Sequence, residues 1–192
     1  VSLAAKTALS KDVSNPSSPI ATGKTPDSTP GTGTPTKPTV GKRSAASIAL
    51  EGTRAAQEWS GKGVGMPFCW CPAGTFTMGS PRNEPGREVD EDQVQVTFSK
   101  GYWLARSETT QRQWQKVMSR SPWSGQFDGV DGQDLPATHV TWNLAMEFCQ
   151  QLTASERQAG RLPADWSYSL PTEAQWEYAC RASTRTPYWF GA

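Results

Sequence analysis

Histidine occurs once in these 192 residues and cysteine four times, and no apolar run approaches the ~18 residues that cross a bilayer as a helix. A spanning segment within the chain and a metal centre built on several histidines are both excluded. Cysteines at 69, 71, 149 and 180 are too few for a small disulfide scaffold, and they lack the two close pairs of a structural zinc site. Charge of one sign is missing too, with 19 Lys and Arg against 18 Asp and Glu. A nucleic-acid-binding domain would carry a dense basic stripe, and there is none. The expectation is a soluble chain. Its compartment stays open, an extracytoplasmic one included, because a start at Val1 leaves room for a signal peptide, an anchor or a domain further upstream.

Aromatic residues are nearly absent from the first third, where Trp59 alone of 19 precedes Phe68. Residues 1–65 hold six Pro, eight Gly and 18 Ser or Thr, which is 32 of 65 positions. With so little apolar surface to offset chain entropy, this stretch is expected to be a disordered linker, and residues 66–192 the folding unit. Thr-Pro and Ser-Pro steps over 12–42 keep the backbone extended, as in a spacer. One weak helix is conceivable over 44–60, with Gly52 inside it.

From Gly65 onward the pattern changes. Phe68 and Trp70, then Phe76 and Met78, alternate around a Pro-Ala-Gly turn and predict short strands. Val94, Val96 and Phe98 mark a half-buried strand, and Tyr102 to Ala105 resumes extended structure. Three helices follow behind threonine N-caps. Thr110 with Gln113 and Thr172 with Gln175 form capping boxes, ahead of the stripes Trp114, Val117, Met118 and Trp176, Ala179, Cys180; Thr141 precedes Ala145, Phe148, Cys149 and Leu152. Long connections between these elements predict a loop-rich α+β domain in which nine tryptophans pin loops together.

PAGTFTMGS at 72–80, VQVTFSKGYWL at 94–104, SETTQRQWQKVM at 107–118, LPATHVTWNLAMEFCQQL at 135–152 and LPTEAQWEYACRAST at 170–184 occur in this order. Together they resemble the formylglycine-generating enzyme, or sulfatase-modifying factor, domain, over about residues 66–192. The resemblance implies a C-type-lectin-like fold. It also implies an oxidoreductase that converts the cysteine of a sulfatase Cys-x-Pro-x-Arg segment to formylglycine, using dioxygen and copper held by two cysteines, and a bound calcium. In the family those copper cysteines and calcium ligands follow the Tyr-x-Phe-Gly segment, and here the sequence ends at that segment, Tyr188 to Ala192. The resemblance therefore implies the N-terminal half of the domain, inactive by itself, with no catalytic, copper-binding or calcium-binding residue in this chain. The alternative is a non-catalytic module of the same fold that binds a ligand or protein. A related iron-dependent sulfoxide synthase needs three histidines and ranks last.

Individual residues favour structural roles. Cys149 and Cys180 fall on expected inner helix faces, where the resemblance implies burial or disulfides to the distal half. Cys69 and Cys71 project from one face of a strand, yet His139 is the sole histidine and nothing places it nearby. The acids Glu84, Glu88, Asp90, Glu91 and Asp92 lack the spacing of a calcium loop and read as a solvated run. Glu173 and Glu177 complement a helix N-terminus and Arg181. Trp114, Trp142 and Trp176 are expected in the core.

Overall fold

The computed structural model describes residues 6–11 and 50–188. Among the described residues, seven strands and three helices form two sheets with helices on both sides: β1 (Ala8–Lys11), β2 (Glu58–Ser60), β3 (Pro67–Cys71), β4 (Gly74–Met78), β5 (Val94–Phe98), β6 (Tyr102–Ala105), α1 (Gln111–Gln115), α2 (Trp142–Gln158), β7 (Trp166–Ser169) and α3 (Glu173–Arg181). The larger sheet runs β2-β3-β6-β1-β7, every neighbour antiparallel, and β4 pairs with β5 as a separate ribbon.

Strand alternation divides the larger sheet into two faces. Leu9, Phe68, Trp70, Trp103, Ala105, Trp166 and Tyr168 enter the main core, where they meet Phe148, Cys149 and Leu152 of α2 and Trp114 of α1. Trp70 meets Trp103 edge-on at 5.1 Å, and Trp114 stacks on Phe148 at 5.2 Å. Buried indoles need acceptors: Trp103 donates to the Leu50 carbonyl and Trp114 to that of Arg120, both at 2.8 Å. The opposite face carries Ala8, Cys71, Tyr102 and Leu104, covered in part by Tyr178 and Ala179 of α3.

All three threonine caps form. Thr110 and Thr172 accept from the backbone of Gln113 and Gln175, whose side chains accept in return, and Thr141 accepts from the backbone N–H of Leu144. These signals are local, so sequence alone locates them. The long connection after α1 is tied down by buried Gln111, which donates to the Val130 carbonyl at 2.6 Å and accepts from Gly132 N at 2.9 Å.

The first 65 residues are not uniformly a linker. Ala8 and Leu9 are fully buried in β1, flanked by β6 and β7, while residues 50–65 supply β2 and buried Val64. Composition averaged over 65 positions hid both pieces, because four residues suffice for a strand that borrows its partners. The span 12–49, which contains the expected spacer, lies outside the described residues. No helix forms over 50–60, which makes turns and β2. Gly52 lies against Trp70, where an added Cβ would stand 2.3 Å from Cγ of the ring.

Two of the three motif tryptophans leave the core. Trp114 is 2% exposed, but Trp142 is 68% and Trp176 49% exposed. Helical side chains lean toward the N-terminus, so Trp142, the first residue of α2, projects past the end of a turn that is exposed at 141–143. On α3 the inward stripe is rotated by one position from the expected Trp176, Ala179, Cys180. Tyr178 takes the inward place, 5.2 Å from both Phe76 and Phe98, and Tyr102 donates to the Gln175 carbonyl at 2.6 Å. Cys180 is consequently exposed.

Candidate functional site

The Met-Gly-Ser turn after β4 and the Trp-Glu-Tyr-Ala-Cys-Arg segment of α3 are bolted together. Gly79, at φ +89°, donates its N–H to Glu177 Oε1 at 2.9 Å and accepts at its carbonyl from Arg181 Nη2 at 2.9 Å. Arg181 Nε donates to the same Glu177 oxygen at 2.7 Å. The i,i+4 pair was legible from spacing, but its third member, 98 positions away, was not. An added Cβ on Gly79 would stand 2.7 Å and 2.8 Å from the carbonyl oxygens of Asp92 and Glu91, so the turn requires glycine for space as well as for φ.

This bolt holds α3 over the second face of the sheet, leaving a cavity of about 550 Å³ at its flank. Cys69, Cys71, Leu104, Arg106, Trp176 and Cys180 line it. The structure thus brings together three of the four cysteines, all free thiols. Burial pushes Cys71 up to about 11 even though a hydrogen bond with Tyr102 opposes the rise. Burial also raises Cys69, Arg106 opposing and Glu58 adding, and Arg106 is paired with Glu58 at 3.1 Å. These two thiols are protonated near neutrality and are poor nucleophiles. Cys149 stands apart in the main core, pushed to about 12 by burial against an opposing hydrogen bond with Thr7.

A pH prediction follows. A thiol whose native pKa lies above its ordinary 9.0 keeps its proton longer when folded, so stability is intact below about pH 9 and declines as pH rises toward 11 and 12. Chemical unfolding followed at pH 8, 9 and 10 should show that decline, and Cys149→Ala should flatten it. An equal slope in the variant would remove Cys149 as its source.

A second, polar hollow of about 820 Å³ lies against β4, lined by Thr75, Thr77, Gln95, Arg181, Thr184 and Arg185. Its walls carry no histidine, cysteine or carboxylate. His139 belongs to neither hollow; it adopts φ +55° and places Nε2 3.0 Å from Asp128. Within the acidic run, Glu91 accepts from the Ser80 hydroxyl at 2.5 Å and Asp92 pairs with Arg87 at 2.5 Å, while Glu88 and Asp90 are exposed. Among the described residues no three His, Cys, Asp or Glu side chains are grouped to hold a metal ion.

Two family blocks joined through one half-buried glycine, on a mixed helix and sheet scaffold, define the class of protein. A family model described as "Sulfatase-modifying factor enzyme 1-like domain" matches residues 62–192, and the chain belongs to this family. The solved structure of PvdO from Pseudomonas aeruginosa is similar at 25% identity and a TM-score of 0.59, covering 71% of this chain and 55% of that one. "Chaperone protein LppX" of Paenibacillus barcinonensis is 28% identical, over 47% of this chain and 39% of that protein. The chain thus spans about half or less of the length of these relatives. Among the described residues no helix is long and apolar enough to cross a membrane.

Proposed function

We propose that this chain is the polypeptide-holding wall of a formylglycine-generating-type domain of C-type-lectin-like architecture. In a protein that carries the remaining family blocks, the activity is oxidation of a Cys-x-Pro-x-Arg cysteine to formylglycine by dioxygen. The observation that carries the reading is the pair of family blocks, 72–80 and 170–184, bolted at Gly79 beside a cavity lined by apolar groups and free thiols. Such a lining suits an extended segment with apolar and sulfur-bearing side chains, and Trp176 supplies a broad contact surface. Reacting groups come from elsewhere in this reading, consistent with the raised pKa values of Cys69 and Cys71.

A second reading is a binding module that holds a polypeptide without oxidising it. The similarity to a protein named as a chaperone favours it. The two separate in a trapping assay: a Cys-x-Pro-x-Arg peptide is incubated with copper(I), dioxygen and either this chain or a protein extended by the remaining family blocks, and aldehyde is captured by a hydrazine probe. The first reading expects aldehyde from the extended protein only. An extended protein that bears both family cysteines and is inert on such peptides would leave the binding module.

A further inference from the structure

We propose that the gap between β6 and β7 is a strand-accepting site, filled here by residues 8–11 of the same chain and open to the same segment of a second copy. Backbone pairing occupies both edges of β1: Ala8 and Leu9 face Leu104 and Trp103 of β6, while Ala8, Leu9, Ser10 and Lys11 face Ser169, Tyr168, Ser167 and Trp166 of β7. Side chains add specificity, as in strand-addition recognition. Leu9 is fully buried, and the Thr7 hydroxyl lies 3.2 Å from that of Thr109. Lys11 pairs with Glu51 and stands 5.6 Å from the Trp166 ring centre.

The covalent connection does little to fix whose strand fills the gap. The Lys11–Glu51 pair puts the two ends of segment 12–49 beside each other, although 38 residues separate them in sequence. Tethering through a connection of that many residues raises the local concentration of β1 at its own gap to about the millimolar range and no further. A second copy at comparable concentration competes on nearly equal terms, because a swapped strand makes the same contacts as the chain's own. The exchanged form is a dimer in which each copy completes the other's five-stranded sheet.

The test uses register partners. A chain with Ala8→Cys is mixed with a separate chain carrying Ser169→Cys at rising concentration, oxidised, and mapped by mass spectrometry for a disulfide joining positions 8 and 169. We expect this interchain bond to increase several-fold between micromolar and millimolar chain, while a chain carrying both substitutions forms the bond internally at every concentration. Internal bonding without any interchain bond up to millimolar chain would overturn the exchange. No bond even in the doubly substituted chain would overturn the site itself. The unsubstituted protein gives an independent readout: isotopically heavy and light copies are mixed at high concentration, diluted, and cut by trypsin within 12–49. Native mass spectrometry should then find heavy N-terminal segments on light bodies, and strictly matched pairs would count against the proposal.

Discussion

Replacing Leu9 by Ala is expected to cost about 3 kcal/mol of folding stability, the order seen when a fully buried leucine is truncated in a core that relaxes only partly. Composition alone assigns residue 9 to a linker, where the same change would be neutral. Leu9 has no exposed surface, and it sits on the same face of the sheet as Trp103 and Tyr168, its register partners. Urea unfolding of the variant reads the difference directly. A loss under about 0.5 kcal/mol, the range of ordinary surface changes, would remove β1 from the fold.

Gly79→Ala is the second large effect, at about 3 kcal/mol, combining a left-handed backbone with overpacking against fixed atoms. The two carbonyl oxygens in the way belong to Glu91 and Asp92, and that of Glu91 already accepts the Ser80 N–H at 3.0 Å, so the segment ahead of β5 cannot retreat freely. The loss should be accompanied by weakening of the Glu177–Arg181 bolt, seen as faster hydrogen exchange at the Gly79 and Ser80 amides. Wild-type exchange at both positions would mean that the turn does not anchor α3.

What was legible in the sequence was local. Capping boxes at Thr110 and Thr172 lie within one turn of the helices they open, and the 2-residue alternation of Phe68 and Trp70 needs no knowledge of partners. Strand β1 carries no such pattern; Ala-Leu-Ser-Lys becomes a strand because β6 and β7 lie on either side of it. On α3 two stripes satisfy helical spacing, and hydrophobicity favours the one containing Trp176, whereas the ring contacts of Tyr178 with Phe76 and Phe98 select the other. The same rotation turns Cys180 outward and into the cavity wall with Cys69 and Cys71. Their alternation on β3 was readable, but the third thiol, more than 100 positions later, depends on how α3 docks.

The central claim is that this cavity holds a polypeptide and does not react with it. Mass spectrometry addresses the holding directly: the chain is alkylated with and without a saturating Cys-x-Pro-x-Arg peptide whose own cysteine is replaced by serine, and the rate at Cys180 is followed. The account predicts alkylation of Cys180 slowed several-fold by the peptide, with Cys149 unreactive in both samples while the chain stays folded. Equal rates at Cys180 with peptide saturating would contradict it.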